Sequence, residues 1–364
     1  MARTEAAAPG PRPGPVDDSA LTPRERLRHR AVVVVSLVST VLVGIGVASQ
    51  SRVNGELSPR MVPPAVAAPG WAGLASERVA AGLDTAILSF GIGLAVVTTG
   101  ALLTPRGRRG LRAVGSSLRH GRLRWWQLLG GAGGATLVTS QGVAVPALGV
   151  AVFTVTIVAG VTVAGLVVDR VGLSPNGVRP WTPRRVLGAL LAVGGVTLSV
   201  SGGLGEGGGA PVLALVGALL LAFVAGSLTA AQQAVNGHVA VHAGSPWVAG
   251  VVNFTVGLTT LVLARLVLVG TARPALPPPA EQWWLYLSGP IGVSFIVLAA
   301  LLVRTLGVLV LGLGNTAGQL VGSIALDELF PTAAGRPGAV ELVAAVVIFA
   351  AVALAASRPR RRAP

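Results

Sequence analysis

A chain of 364 residues that is 52% hydrophobic and only 11% charged, where soluble domains carry about 25% charged residues, is excluded from the soluble globular class and reads as an integral membrane protein. Its formal charge of +15 resides on Arg alone among the basic residues, without stacking aromatics interleaved on a polar face, which excludes a nucleic-acid surface. The absence of Cys excludes disulfides and thiolate metal sites.

Residues 1–30 are rich in Pro, Ala, Gly and Arg without apolar periodicity and are expected to form a disordered basic tail. Arg24, Arg26, Arg28 and Arg30 precede AVVVVSLVSTVLVGIGVAS, a signal-peptide-like arrangement with small residues near Ala48. Retention is expected nonetheless, because the end of this run, ASQSRVNGEL at 48–57, is echoed deep in the chain by AAQQAVNGHV at 230–239. Cutting the sequence at its charges leaves apolar runs at 31–51, 85–105, 125–168, 186–205, 207–264, 282–303, 305–326 and 342–357. A spanning helix takes about 20 apolar residues, so 125–168 and 207–264 hold two spans each and the expected total is ten.

The spans fall into two copies. Gln50 and Asn54 return as Gln232 and Asn236, and Ser89-Phe90 with Gly93 returns as Asn253-Phe254 with Gly257. Trp125-Trp126 returns as Trp283-Trp284 and Asp169 as Asp327, both 158 positions later, and WTPRRV at 181–186 answers GRPGAV at 335–340. The stretch from Asn54 to Phe90 is 18 residues longer than that from Asn236 to Phe254. The added residues, around SPRMVPPAVAAPGWAGLASERV, are rich in Pro and Gly and are expected to form an elongated loop.

Five spans per copy, an odd number, force the second copy to enter the membrane from the opposite side. The expected fold is an all-α polytopic membrane protein with ten transmembrane helices as two inverted five-helix repeats: 31–205 and 206–357, between a basic tail at 1–30 and another at 358–364. Charge follows the same division. Segment 104–124 holds seven Arg and no acid, whereas its counterpart 270–282 holds one Arg and one Glu. Both termini are then cytoplasmic, and Arg52, Arg60, Arg78, Arg265, Arg273 and Arg336 fall on or near the outer side. Arg265, within a span but near its outer end, is expected to snorkel.

Gln50 and Asn54 share one helix face, as do Gln232 and Asn236. Intramembrane amides are costly unpaired, so they meet one another, backbone or a wet cavity. As packing alone they would supply interhelical hydrogen bonds worth about 0.6–2 kcal/mol each; recurrence in two opposed copies fits a pair of half-sites or gates. Gln233, Ser89, Asn253, Asn315, Gln319 and Gln141 are expected to join this lining. Acids are scarce, and Glu56, Asp84, Asp169, Asp327 and Glu341 all fall near predicted helix ends. Of these, Asp84, Asp169, Asp327 and Glu341 are the candidates for a coupling or interfacial role.

Other patterns resolve into packing. Gly314, Gly318 and Gly322 in GNTAGQLVG form a small-residue stripe that lets two backbones approach. Gly312, Gly314 and Ala317 have the G-x-G-x-x-A spacing of a dinucleotide loop, but inside an uncharged span such a loop would leave backbone groups unsatisfied. His238 and His242 have ligand spacing in HVAVH, yet no third ligand is near and they are expected to lie in a short loop. No cofactor or metal is expected, and the chain lacks the convergent nucleophile, base or metal ligands that a membrane enzyme would need.

The order Q-x-x-x-N, S/N-F-x-x-G, W-W and G-Q-L-x-x-S-x-x-x-D resembles the YdcZ-like inner membrane exporter branch of the drug/metabolite transporter superfamily, built from five-helix units that occur singly or fused in tandem. Gln232, Asn236, Ser245-Pro246, Phe254, Gly257, Gly318-Gln319-Leu320, Ser323 and Asp327 match best. The first copy departs: Val161 stands where the second has Gln319, and Arg52 interrupts the first motif. The resemblance implies a ten-helix fold with a central cavity and export of small metabolites or drugs. Together with the inverted plan, it sets the expectation of a transporter that moves a small polar or amphiphilic metabolite by alternating access. The expected setting is a bacterial plasma membrane with both termini cytoplasmic, and the expected partners are a small-molecule substrate and the lipid bilayer, with no nucleic acid, as a monomer or homodimer. The rival expectation is a non-transporting membrane scaffold or sensor, in which the amides only pack.

Overall fold

The computed structural model describes residues 23–61, 71–173, 177–178, 180–203, 212–270, 275–332 and 335–356. In hydrocarbon a backbone must satisfy its polar groups within its own segment, and the apolar runs accordingly become helices: α1 (Pro23–Leu57), α2 (Trp71–Leu103), α3 (Pro105–Arg119), α4 (Gly130–Arg170), α5 (Pro183–Gly203), α6 (Val212–Ala243), α7 (Pro246–Leu268), α8 (Ser288–Leu329) and α9 (Ala339–Ala356). The described residues contain no strand, only an isolated bridge between Thr332 and Gly335. Six stretches among them are long and apolar enough to cross a membrane: Val34–Arg60, Glu77–Leu103, Trp125–Arg170, Val212–Ala243, Pro246–Leu268 and Ala339–Ala356. Both Trp pairs lie in 3-10 segments, Trp125–Leu128 and Ala280–Leu287, that lead into α4 and α8.

α4 and α8, of 41 and 42 residues, each hold about twice the length of one span, and each doubles back on the helix it packs against: Gly133 and Gly160 of α4 both meet α6 between Phe223 and Gln232, and Gly292 and Gly322 of α8 both meet α1 between Ile45 and Gln50. α4 is interrupted at Gly149, whose φ of 75° and ψ of 167° lie outside the helical region, three residues after Pro146. Pro146 removes a helical N–H, and only Gly takes such a φ at low cost.

The first helix of each copy packs along the long helix of the other, α1 on α8 and α6 on α4. Both crossings bring backbone onto backbone. A Cβ on Gly318 would sit 2.0 Å from the Val41 carbonyl oxygen, and one on Gly44 would overlap that of Asn315. Likewise a Cβ on Gly160 would overlap the Phe223 carbonyl, and one on Gly226 that of Ile157. Gly160 and Gly318 are 158 positions apart, and Gly44 precedes Gly226 by the same interval as Gln50 precedes Gln232. Between these crossings α2 packs on α7, with the Phe90 and Phe254 rings 5.0 Å apart; each ring also presses on the other copy's glycine, Phe254 on Gly93 and Phe90 on Gly257.

Several expectations need correction. α1 begins at Pro23, inside the segment read as a disordered tail, and residues 1–22 and 357–364 lie outside the described residues. The elongated loop is shorter than read, because Ser58–Arg60 form a 3-10 turn and α2 already begins at Trp71; residues 62–70 lie outside the described set. The Arg-rich segment 104–124 contains a helix, α3. Thr104 caps it by accepting the Gly107 N–H at 3.1 Å, Pro105 starts it, and Gly107, Gly110, Val114 and Ser117 form its buried face. His238 and His242 are not in a loop but in the last turns of α6. The G-x-G-x-x-A run lies within continuous helix, and its Gly314 packs against Thr40.

Overpacking should therefore single out the crossings. Gly318→Ala and Gly226→Ala are each expected to destabilise the detergent-solubilised protein by about 1–3 kcal/mol. Gly217→Ala, at a helical position with open space around it, should be neutral or stabilising by thermal unfolding.

Candidate functional site

Asn54 is fully buried near the C-terminal end of α1, at the centre of a hydrogen-bond cluster drawn from four helices. Its Nδ2 donates to Gln141 Oε1 of α4 at 2.6 Å, and Gln141 Nε2 donates in turn to Ser51 Oγ at 3.0 Å. Its Oδ1 accepts from Ser89 Oγ of α2 at 2.9 Å and from Ser288 Oγ at the start of α8, and the two hydroxyl oxygens are 2.7 Å apart. Gln50 Nε2 donates to the Ser288 carbonyl at 2.9 Å. Burial raises the cost of any unpaired member, so these bonds act as a unit.

The second copy builds a sparser cluster. Gln232 Nε2 and Asn236 Nδ2 of α6 both donate to Asn253 Oδ1 of α7, at 2.9 and 2.8 Å. Gln232 Oε1 and Asn236 Oδ1 are buried and have no partner among the described residues. Two replacements leave the Asn236 oxygen open: Gly130, 158 positions before Ser288, stands against it and brings no hydroxyl, and Asn253 stands where Ser89 donates to Asn54. The docking is otherwise equivalent. Gly131 lies on the Asn253 carbonyl and the Gly257 nitrogen, as Gly289 lies on the Ser89 carbonyl and the Gly93 nitrogen. Thus the start of each copy's long helix seats on the other copy's amide cluster. An unsatisfied buried acceptor costs about 1–3 kcal/mol, a cost removed when a donor reaches it.

The remaining candidates lie elsewhere. Gln233 is exposed on α6, and Asn315 and Gln319 sit on the side of α8 that meets Gly44 of α1, outside both clusters. Asp169, at the end of α4, pairs with Arg185 of α5. Glu341 accepts the Gly338 N–H at 2.9 Å in the first turn of α9, a capping contact. Asp327 is buried on α8, and its Oδ2 accepts the Ala151 N–H at 2.7 Å. His238 and His242 bond to the Leu173 and His238 carbonyls.

Arg265 does not snorkel. It is 7% exposed and its Nε donates to Asp84 of α2, which is 3% exposed and also accepts the Ala275 N–H at 3.0 Å. The pair ties α2 to α7 beside a cavity of about 330 Å³ that includes Met61, Leu88, Val262 and Pro277 in its lining. Its partners are 181 positions apart in the chain, with no local pattern to link them. A larger cavity, of about 540 Å³, lies between the segment ahead of α4, the end of α4 and α6, and includes Arg122, Arg124, Trp126, Gln127 and His238 in its lining. Ser51 and Ser288 complete the first cluster without belonging to any motif; only the register of Ser288 with Gly130 marks it in the sequence.

The family described as "Putative inner membrane exporter, YdcZ" matches residues 65–198 and again residues 217–354. The chain belongs to that family: it is a multi-pass inner membrane protein of transporter type. Gln50 and Asn54 precede the first matched segment, whereas Gln232 and Asn236 lie within the second. Among curated proteins no match is found.

The Asp84–Arg265 pair is buried, so breaking it should cost more than replacing it. Arg265→Met alone is expected to lower stability by about 3–5 kcal/mol, and the double replacement Asp84→Leu with Arg265→Met to recover most of that in thermal unfolding.

Proposed function

We propose that the chain exports a small polar or amphiphilic metabolite or drug by alternating access between two five-helix repeats, 31–205 and 206–357, inverted across the membrane to give ten spans. Both termini lie in the cytoplasm, on the side of the Arg-rich α3 segment, and the partners are the bilayer and a small-molecule substrate.

The observation that carries this reading is the inequality of two equivalently built clusters. Asn54 is bonded at both ends of its amide and its cluster is closed by Ser288, whereas Gln232 and Asn236 keep two unspent carbonyl oxygens. Near the same end of α6 lies the cavity of about 540 Å³ lined in part by His238. Phe90 and Phe254 stand where the two copies meet, an apolar partition between a closed half-site and an available one. A substrate with N–H or O–H donors finds its acceptors on the cytoplasmic side in this conformation. Reversal of the two roles delivers it to the other. The absence of such an exchange would leave the amides as interhelical glue.

Everted membrane vesicles containing the chain, incubated with a bacterial cell extract and assayed by mass spectrometry, should accumulate at least one polar species. Gln232→Ala or Asn236→Ala should slow that accumulation about five- to tenfold, the effect of losing one hydrogen bond of about 1–1.4 kcal/mol. Gln233→Ala should leave it unchanged. No accumulation of any species by folded, membrane-inserted protein would favour a scaffold instead.

A further inference from the structure

The cavity of about 540 Å³ beside the segment that leads into α4 has a chemistry that the amide clusters do not use. Its lining includes Arg122, Arg124, Trp126, Gln127 and His238 and contains neither Asp nor Glu. Leu123, between the two arginines, is 1% exposed and packs with Val114, Val239 and Val248, which fixes the chain at that point. Gln127 is buried, and its Oε1 accepts the Arg124 N–H at 2.8 Å. On the other wall His238 Nε2 bonds the Leu173 carbonyl at 3.0 Å and so ties α6 to the turn that ends α4. Two exposed guanidinium groups thus stand on a frame set by backbone and buried side chains.

Arginine near a helix end often serves to satisfy the last carbonyls. Here backbone N–H groups already do so. The Ser117 carbonyl accepts from Arg122 and Leu123 at 2.9 and 3.1 Å, and the Val167 and Val168 carbonyls accept from Val171 and Leu173 at 2.9 and 3.1 Å. Among the described residues neither Arg122 nor Arg124 is paired with a carboxylate, and Asp169, close in the chain to the cavity wall at Val171, is taken by Arg185. In the other copy, the register that relates Trp126 to Trp284 puts Ala280 and Gln282 in place of these arginines, and that of Gln50 with Gln232 puts Glu56 in place of His238. Both Trp segments are 3-10 in backbone, but only one carries the positive charge.

Two cations without an acid, in a cavity within the range of about 300–1,000 Å³ typical of small-molecule sites, match an oxyanion that carries an organic body; guanidinium groups suit phosphate in geometry as well as charge. At the rim Trp125, Leu129 and Val171 are 71%, 48% and 67% exposed, the mix of tryptophan and aliphatic residues expected where helix ends meet the membrane interface. We propose that this cavity binds a phosphate ester, its phosphate between Arg122 and Arg124 and its organic part against Trp126. The ester is either the headgroup of an anionic phospholipid or a soluble metabolite, and the recognising chemistry is the same for both. Such binding goes beyond the transport reading and does not require it.

The full chain, purified in a neutral maltoside detergent, is titrated with phosphatidylglycerol, with phosphatidylcholine and, separately, with glycerol phosphate; native mass spectrometry follows the lipids and calorimetry the soluble ester. Preferential retention of phosphatidylglycerol with no glycerol phosphate bound identifies a lipid headgroup site, and binding of glycerol phosphate identifies a site for soluble esters. In either case Arg122→Gln or Arg124→Gln should weaken binding about tenfold, the effect of losing one hydrogen bond to a charged group. Arg112→Gln and Arg119→Gln remove the same charge from exposed positions of α3 outside the cavity lining and should change binding less than about twofold. Equal weakening by all four variants would reduce the effect to diffuse surface charge and overturn the site. Equal retention of the two lipids without binding of glycerol phosphate, by monodisperse native chain, would overturn it as well.

Discussion

Membrane helices gain little by hiding apolar surface from apolar lipid, so their association rests on how closely their backbones can approach. In this chain the closest approaches lie at two glycine crossings, Gly44 on Gly318 and Gly226 on Gly160. Each joins the first helix of one copy to the long helix of the other. Neither copy therefore packs as a separate bundle. That interlocking delivers Ser288 to Asn54 and Gly130 to Asn236, and a side chain at either crossing would push both contacts apart.

On this frame the polar groups divide into fasteners and unspent valences. The Asp84–Arg265 pair and the cluster around Asn54 are nearly satisfied, and they bind α2 to α7 and α1 to α2, α4 and α8. Gln232, Asn236 and Asp327 each keep a buried oxygen without a donor. A buried acceptor in that condition is a local cost, and those of Gln232 and Asn236 lie in the cluster that faces Gly130. The first cluster is closed by Ser288, whereas the second faces Gly130 and keeps open acceptors. That difference between two otherwise similar sites is what the proposed exchange draws on.

Much of this architecture was legible in the sequence. Long uncharged runs gave the helices, and the recurrence of Gln50/Asn54, Ser89-Phe90, Trp125-Trp126 and Asp169 gave the two copies, which the two family matches bear out. Gln50, Asn54, Ser89 and Gln141 do meet in one cluster. What escaped depended on pairings distant in the chain or on rotation about a helix axis. Arg265 looked like a snorkelling residue because its partner Asp84 sits on another helix. Gln233 differs from Gln232 by one residue, about 100° of helix, and only packing decides which of them faces Asn253. α3 was hidden by its seven-Arg surroundings, although Thr104-Pro105 and the spacing of Gly107, Gly110, Val114 and Ser117 carried the signal. Gly149 and Pro146 were visible as residues, but the break between them needed Asp327, from the other copy, to be understood.

The central claim is that two equivalent copies face opposite sides of the membrane, and the native chain, having no Cys, makes it directly measurable. Gly115→Cys in α3 and Ala280→Cys in the segment leading into α8 introduce single thiols at exposed positions ahead of the two Trp pairs. With a membrane-impermeant maleimide, the account predicts that the thiol at 280 reacts in intact cells and the thiol at 115 only after permeabilisation. Reaction of both from the same face would contradict it.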